Sequence, residues 1–264
     1  MKKITFIALT ALFIVACTSE PGNTIIFDSV TTNKEVKLSN DEGSPVCTVH
    51  LQLAYATDDN GHKAEVVNAN ILKQLLNMED VTFQQAVDSF ANTYTDSYVR
   101  NYLPLYNQDR ADTTKRSWYE YHYVITTDAH QGSQNTTVYI ATIDYFEGGA
   151  HGINQQQTLN FKSDTGQLLT LDDIFVPGYE STLNNILQEA LLEKVGAKDL
   201  QSLHEMGYLF STDMFPSKNY ILNDETITFI YNPYEIASYD KGSTELTLSL
   251  GNLDRILRPE YKQP

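Results

Sequence analysis

The chain has 264 residues, and its 34 aspartates and glutamates outnumber its 18 lysines and arginines, which gives a formal net charge of −16. This acidic balance argues against a nucleic-acid-binding protein, because phosphate binding requires a basic surface. Hydrophobic residues make up 41% of the chain and aromatic residues 11%, which is enough for a packed core and excludes a wholly disordered protein. The length predicts one large domain or two small ones.

The first 17 residues have the pattern of a bacterial lipoprotein signal. Lys2 and Lys3 precede an apolar run that ends at Ala16 and is too short to span a membrane comfortably. The small Ala16 lies directly before Cys17, whose thiol we expect to be lipidated after residues 1–16 are removed. The alternatives are an uncleaved anchor and an ordinary signal peptide followed by an incidental cysteine.

Processing at Cys17 would affect the charge, the location and the sulfur chemistry of the protein. The net charge would change from −16 to −18, because two lysines are lost. Residues 17–23 would tether the protein to a membrane, so we expect it in the cell envelope, at the periplasmic face or the cell surface. Cys47 would then have no second thiol for a disulfide, and its alternating neighbours predict a buried, inert side chain rather than a reactive one.

An N-terminal module is predicted over residues 24–147. Its strands show alternating apolar and polar residues, and they are predicted over residues 24–30, 46–55, 116–127 and 137–146. Helical spacing of apolar residues predicts a helix over 64–77 and a second helix that starts after Thr82 and stops at Pro104. Thr82 and Gln85 form a capping box there, and we expect the Phe and Tyr stripe of this helix to pack on a sheet rather than to bind an aromatic ligand.

A C-terminal module is predicted over residues 148–258. Its strands are predicted over residues 156–161, 219–222, 226–231 and 245–250. A helix that starts near Ser181 is predicted to end at Gly196, and a short helix follows over 198–206. Because helices and strands are mixed and neighbouring strands look like hairpins, the sequence predicts an α+β fold of mainly antiparallel sheets with packed helices, arranged as two consecutive small modules.

A glycine-rich segment is the first candidate binding site. It contributes Tyr145, Glu147, Gly148, Gly149, His151 and Gly152. The three glycines would allow backbone conformations closed to other residues, or a close approach to a partner. The histidine could act as a base or a ligand, with the glutamate as its partner. The alternative is a bulged strand connection in which the histidine completes a turn hydrogen bond.

An aromatic-rich loop after a predicted strand is the second candidate binding site. It contributes Tyr231, Tyr234, Glu235 and Tyr239. Tyrosines are large amphipathic side chains that suit a recognition surface. The alternative is a loop that folds its tyrosines onto the sheet.

Motifs for metal, cofactor or nucleophile chemistry are missing from the sequence. No two histidines are four residues apart on a predicted helix, and Cys-x-x-Cys, the Walker phosphate loop, Gly-x-Gly-x-x-Gly and the Gly-x-Ser-x-Gly elbow are absent. The adjacent Asp172 and Asp173 are interpreted as helix-capping residues. We therefore predict no metal, no cofactor and no catalytic residue, and we expect a binding protein rather than an enzyme.

Together, the two candidate sites resemble segments of the RsiV/PdaC-like extracellular domain family. Tyr-Phe-Glu-Gly-Gly-Ala-His-Gly is similar to the family's Tyr-x-Gly-Gly-Ala-His-Gly segment. The matching segments, in the order of the family, are residues 145–152, 164–166, 169–175 and 231–239. The resemblance as a whole extends over most of residues 24–257, whereas Ser238 and Asp240 differ from the family pattern.

The resemblance implies an α+β fold and a binding role at the cell envelope. The family includes the ectodomain of a lysozyme-sensing anti-sigma factor and the non-catalytic part of a peptidoglycan deacetylase, so the implied partners are a basic muramidase or peptidoglycan. An acidic chain would attract a basic muramidase, although the same charge also serves solubility alone. No deacetylase activity is expected, because the chain leaves no room for that catalytic domain. The alternatives are a wall-directed hydrolase centred on His151 and Glu147, and a structural lipoprotein.

Overall fold

The computed structural model of the protein describes residues 24–57, 62–133 and 135–262. The predicted signal peptide, Cys17 and the whole tether lie outside the described residues. Within the described ranges, no helix is both long enough and apolar enough to cross a membrane. The same ranges contain mainly antiparallel sheets with packed helices, which confirms the predicted α+β fold.

In the described part of the chain, the first sheet has six strands that lie side by side in chain order. They are β1 (Ile26–Lys37), β2 (Val46–Thr57), β3 (Tyr121–Gln131), β4 (Thr136–Glu147), β5 (Ile153–Lys162) and β6 (Leu168–Leu169). Among these strands, every neighbouring pair is antiparallel except β2 and β3, which run parallel. The parallel pair is possible because the chain crosses over from β2 to β3 through helices rather than through a hairpin.

Helices α1 (His62–Leu76) and α2 (Phe83–Asp109) form this crossover and cover one face of the first sheet. The predicted capping box is present at the start of α2. The hydroxyl of Thr82 accepts the backbone N–H of Gln85, and the side chain of Gln85 accepts the backbone N–H of Thr82 at 3.1 Å. Val87 and Tyr98 are buried against the sheet, which confirms that the aromatic stripe of α2 belongs to the core.

The prediction that α2 stops at Pro104 is wrong, because the helix continues beyond this residue. Proline lacks the N–H that would bind the carbonyl one turn back, but the tyrosines on either side hold the helix against its neighbours. The rings of Tyr102 and Tyr121 have centroids 4.8 Å apart, and those of Tyr106 and Tyr119 are 5.5 Å apart. Tertiary packing therefore outweighs the loss of one helical hydrogen bond.

The strand predicted from residue 116 begins later, at Tyr121 in β3. The preceding residues Thr113–Tyr119 form a 3-10 helix, which starts where Asp112 accepts the backbone N–H of Thr114 at 3.1 Å. The hydroxyl of Tyr119 donates to Asp109 at 2.8 Å and fixes this turn against the end of α2. The residues before Tyr121, whose alternation predicts a strand, therefore form a capped 3-10 helix.

The second sheet is antiparallel, in the order β7 (Tyr220–Leu222), β8 (Thr226–Tyr231) and β9 (Thr244–Ser249). Helices α3 (Leu171–Ile174), α4 (Glu180–Val195) and α5 (Leu200–Glu205) precede it. α4 ends as predicted at Gly196, whose φ of 70° lies in the left-handed region that favours glycine. Asp173 caps α3 as predicted, because its carboxylate accepts the backbone N–H of Thr170 at 2.9 Å.

Each sheet has its own apolar core. Leu51 and Tyr139 are fully buried in the first core, and Phe229 in the second. The change from one core to the other falls between Leu168 and Leu171. Residue 148, where the two predicted modules divide, lies in the turn between β4 and β5, which are neighbours in the first sheet.

Cys47 lies in β2 and is fully buried in the first core as a free thiol. Burial, and to a smaller extent the charge of Glu147, raises the pKa of this thiol to about 12. Because the thiolate is the reactive form of cysteine, the structure supports the prediction of an inert side chain.

Candidate functional site

The two candidate sites predicted from the sequence meet in space. The turn between β4 and β5 lies against the loop between β8 and β9, and the ring of His151 stacks on the ring of Tyr239. The two ring centroids are 3.6 Å apart and the ring planes differ by 11°. The hydroxyl of Tyr239 donates to the backbone carbonyl of Gly152 at 2.7 Å, which fixes the two loops together.

The ring of Tyr234 lies next to that of Tyr239, tilted from it by 30°. Its ring centroid lies 5.5 Å from that of Tyr239, and its side chain is 59% exposed. Its backbone has a φ of 74°, an uncommon conformation for a non-glycine residue, and is held by a 3.2 Å hydrogen bond from its N–H to the carbonyl of Ala237. We call the surface formed by His151, Tyr234 and Tyr239 the aromatic ledge.

The glycines beside the aromatic ledge have the geometry that the sequence predicts. Gly148 and Gly149 have φ values of 78° and 94°, which side chains disfavour. A Cβ atom on Gly148 would lie 2.7 Å from the carbonyl oxygen of Trp118, and a Cβ on Gly152 would lie 3.0 Å from the carbonyl oxygen of Tyr145. The turn therefore needs positive φ at Gly148 and Gly149, and it needs room for a close approach of another backbone segment at Gly148 and Gly152.

Glu147 and Tyr145 face α2 rather than the aromatic ledge. The carboxylate of Glu147 accepts the hydroxyl of Tyr94 at 2.8 Å. Burial and then this hydrogen bond raise the pKa of Tyr94 well above its usual value. Tyr145 stacks on Tyr123 with 5.5 Å between ring centroids. Glu147 and His151 thus have different partners, and they do not form the acid and base pair that a hydrolase at this turn would use.

The remaining predicted residues, Tyr231 and Glu235, lie below and beside the aromatic ledge. Tyr231 is fully buried in the second core, and its hydroxyl donates to the carbonyl of Phe215 at 2.7 Å, so it has a structural position. Glu235 accepts the backbone N–H of Asn232 at 2.8 Å. Desolvation raises the pKa of Glu235, and this hydrogen bond opposes the shift.

A groove along β5 adjoins the aromatic ledge, and sequence reasoning missed it. The groove has a volume of about 910 Å³ and lies between β5 on one side and residues 215–220 and 232–235 on the other. Its residues come from α1, from β5, from the segment 168–180 and from the second sheet. No local motif marks such a groove, because its walls are assembled from distant parts of the chain.

Two asparagines bind the β5 edge at the groove and take the place of a neighbouring strand. The side chain of Asn219 accepts the backbone N–H of Thr158 at 2.8 Å and donates to the carbonyl of Gln156 at 2.7 Å. The side chain of Asn232 accepts the N–H of Gln156 at 2.8 Å and donates to its carbonyl at 2.9 Å. The two sheets are therefore joined by amide side chains at an otherwise exposed strand edge.

A histidine and carboxylate pair lies on the sheet face that α1 and α2 leave uncovered. The Nε2 atom of His122 is 2.7 Å from a carboxylate oxygen of Asp144, and the ring of Phe146 stacks near His122 with 6.2 Å between centroids. His122 is 42% exposed. Among the described residues, no three histidines, cysteines, aspartates or glutamates lie close enough to hold a metal ion.

Comparisons with known proteins identify one domain in the chain. Residues 172–251 match the family model described as "Protein of unknown function (DUF3298)", and this match covers less than a third of the chain. It includes Glu235 and the tyrosines of the aromatic ledge, whereas His151 and the glycine turn lie before it. No curated protein matches the sequence.

Two solved structures are similar to the whole fold. A member of the DUF3298 family from Bacteroides fragilis is 26% identical, with a TM-score of 0.81, and the match covers 90% of this chain and 96% of that chain. A DUF3298 family protein from Pseudomonas aeruginosa is 16% identical, with a TM-score of 0.61, and the match covers 92% of this chain and 100% of that chain, which shows a similar fold. The comparisons therefore show a DUF3298 domain in residues 172–251, within a chain whose fold is similar to that of solved DUF3298 family proteins.

Proposed function

We propose that this protein is a lipid-anchored binding protein of the cell envelope, of the RsiV/PdaC-like type, and that it binds a basic muramidase through the aromatic ledge. The observation that carries the proposal is the stacking of His151 on Tyr239. This contact joins the first and the last of the four segments on which the family resemblance rests. Tyrosine is one of the residue types enriched among the side chains that contribute most of the binding energy at the centre of protein interfaces.

The charge around the aromatic ledge supports a basic partner. Asp240 and Glu235 flank the tyrosines on the same loop, where Lys241 lies 3.4 Å from Asp240 and leaves a net negative charge. The hydrogen bond from Ser238 lowers the pKa of Asp240, so this carboxylate stays ionised. The chain as a whole has a net charge of −16, which would steer a cationic protein towards it. A basic muramidase therefore suits this surface better than peptidoglycan does, because the wall polymer carries carboxylates of its own.

Removal of the Tyr234 side chain tests this function. The purified protein should bind a basic lysozyme-type muramidase, and Tyr234→Ala should weaken the affinity about tenfold, because a central aromatic contact is lost. Added salt should weaken binding as well, since exposed charges are screened over about 8–10 Å. Calorimetric titration of the two proteins at two ionic strengths measures both effects.

Ile26→Ala is the matched control for this titration. Ile26 is 64% exposed, and it lies at the end of the first sheet opposite to the β4–β5 turn. Its replacement should leave the affinity unchanged. The muramidase proposal fails if no binding is found or if both variants bind like the parent protein. Binding to sedimented peptidoglycan in place of the muramidase would favour the wall polymer, and turnover of peptidoglycan fragments would favour a hydrolase.

The membrane anchor has a separate test at Cys17. In the native host, the mature protein should carry a lipid on Cys17 and sediment with membranes. Cys17→Ser should leave it unprocessed or release it into the soluble fraction, because the thiol that accepts the lipid is absent. Fractionation and mass spectrometry measure both properties, with Cys47→Ser as the control that keeps the anchor. An unmodified N-terminal segment in the parent protein would contradict the anchor.

A further inference from the structure

We propose that the groove along β5 binds an extended, positively charged peptide segment. The groove adjoins the aromatic ledge and has Glu235 at the shared border, but the proposal does not depend on the identity of the protein that the ledge binds. Its volume of about 910 Å³ is in the range of sites that enclose small ligands and short peptides. The argument has three parts, which concern the shape of the groove, its amide groups and its charge.

The shape of the groove follows an extended strand. It runs beside β5 from Gln155 to Asn160, where β6 takes over as the neighbour of β5. The six residues from Gln155 to Asn160 span about 17 Å in a strand, so a ligand lying along this wall would have five to six residues in extended form. The buried ring of Tyr179 and the partly buried ring of Phe215 provide apolar wall for its side chains.

Neutral amides line the groove along β5 and α1. Gln155 and Gln157 come from β5, and Gln74 comes from the end of α1. An amide side chain has both donor and acceptor groups, as a peptide bond has. Asn219 and Asn232 already show this complementarity in the same place, because they bind the backbone of β5 in the manner of a strand. The glutamine side chains of the groove can therefore form hydrogen bonds with a peptide backbone.

Carboxylates lie at both ends of the groove. Asp172 and Glu180 lie at the Asn160 end, where their charges raise the pKa of Tyr179 in addition to the larger effect of burial. Glu235 lies at the other end, next to Asn232. Among the described lining residues, Lys218 is the one lysine or arginine, so the lining is negative overall. This charge favours basic side chains at both ends of the ligand and disfavours acidic ligands.

A pair of labelled peptides tests the groove. The first is a capped, fluorescein-labelled heptapeptide with arginine at its second and sixth positions, a spacing of about 13 Å in an extended chain. The second has glutamate at those positions. Fluorescence polarisation with the purified full chain should detect binding of the arginine peptide and at least tenfold weaker binding of the glutamate peptide.

Four variants locate the binding. Glu235→Gln and Asp172→Asn keep the size of the side chain and should each weaken the arginine peptide about fivefold, as expected for a partly exposed ion pair. Gln155→Trp should block the groove. Glu193→Gln removes an equal charge from the exposed side of α4, outside the groove, and should have no effect.

Several outcomes would overturn the proposal. These are equal binding of the two peptides, equal effects of Glu193→Gln and Glu235→Gln, or unchanged binding after Gln155→Trp in a variant whose melting temperature shows that it is folded. Binding of a chitin oligosaccharide in place of the arginine peptide would assign the groove to a glycan. Since no muramidase is present, failure here would leave the proposed function of the aromatic ledge untouched.

Discussion

Gly148→Ala is expected to lower the free energy of unfolding by about 3 kcal/mol, the largest effect that we predict for a single methyl group. One part comes from the φ of 78°, which costs a non-glycine residue about 1–2 kcal/mol. The rest comes from the carbonyl oxygen of Trp118, which would lie 2.7 Å from the new Cβ and belongs to a backbone that cannot move freely. Thermal denaturation should show a melting temperature lower by about 6–12 °C.

Gly149→Ala separates these two contributions. Gly149 has a φ of 94°, but a Cβ there would meet no atom within 4 Å. Its replacement should therefore cost only the backbone strain, about 1 kcal/mol, and should shift the melting temperature by about 2–4 °C. Equal melting temperatures for the parent protein and both variants would contradict the geometry described for this turn.

Asn219→Ala is expected to lower the free energy of unfolding by about 2–3 kcal/mol. The substitution removes the acceptor of the Thr158 N–H and one donor to the Gln156 carbonyl, and partly buried groups that lose their partners carry most of this cost. Chemical denaturation measures the free energy. Hydrogen exchange should show faster exchange of the Thr158 amide in particular, because this amide would face solvent.

Asn185→Ala is the control for the loss of an asparagine. Asn185 lies in α4 and its side chain is exposed, so its replacement should change stability by no more than about 0.5 kcal/mol. If Asn219→Ala is as mild as this control, the amide side chains do not hold the two sheets together.

Short-range signals in the sequence predicted their structures well. The capping box of Thr82 and Gln85 and the end of α4 at Gly196 each depend on residues within four positions of one another. The positive φ of Gly148 and Gly149 likewise follows from a local sequence that tolerates few alternatives. Such features are decided by nearby backbone groups, and a sequence displays those groups directly.

Long-range contacts decided the features that the sequence did not show. The stack of His151 on Tyr239 joins segments that were recognised separately, and only the fold brings them together. Asn219 binds Thr158 across 61 positions, and nothing near Asn219 in the sequence distinguishes it from an ordinary loop asparagine. The sequence does not show that α2 continues past Pro104 for the same reason, because the tyrosine partners that keep α2 helical lie outside the helix.

The parallel pairing of β2 with β3 also sets an order for folding. The hairpin of β1 and β2 and the meander of β3, β4 and β5 are each closed by short connections, so their partners find each other locally. The parallel register pairs Cys47 with Tyr121 and Gln52 with Thr126, which closes a loop that contains both α1 and α2. Closing that loop costs conformational entropy before the contacts between β2 and β3 are formed. We therefore expect the joining of the two halves of the first sheet to be the slow step in forming the scaffold on which the aromatic ledge and the groove are built.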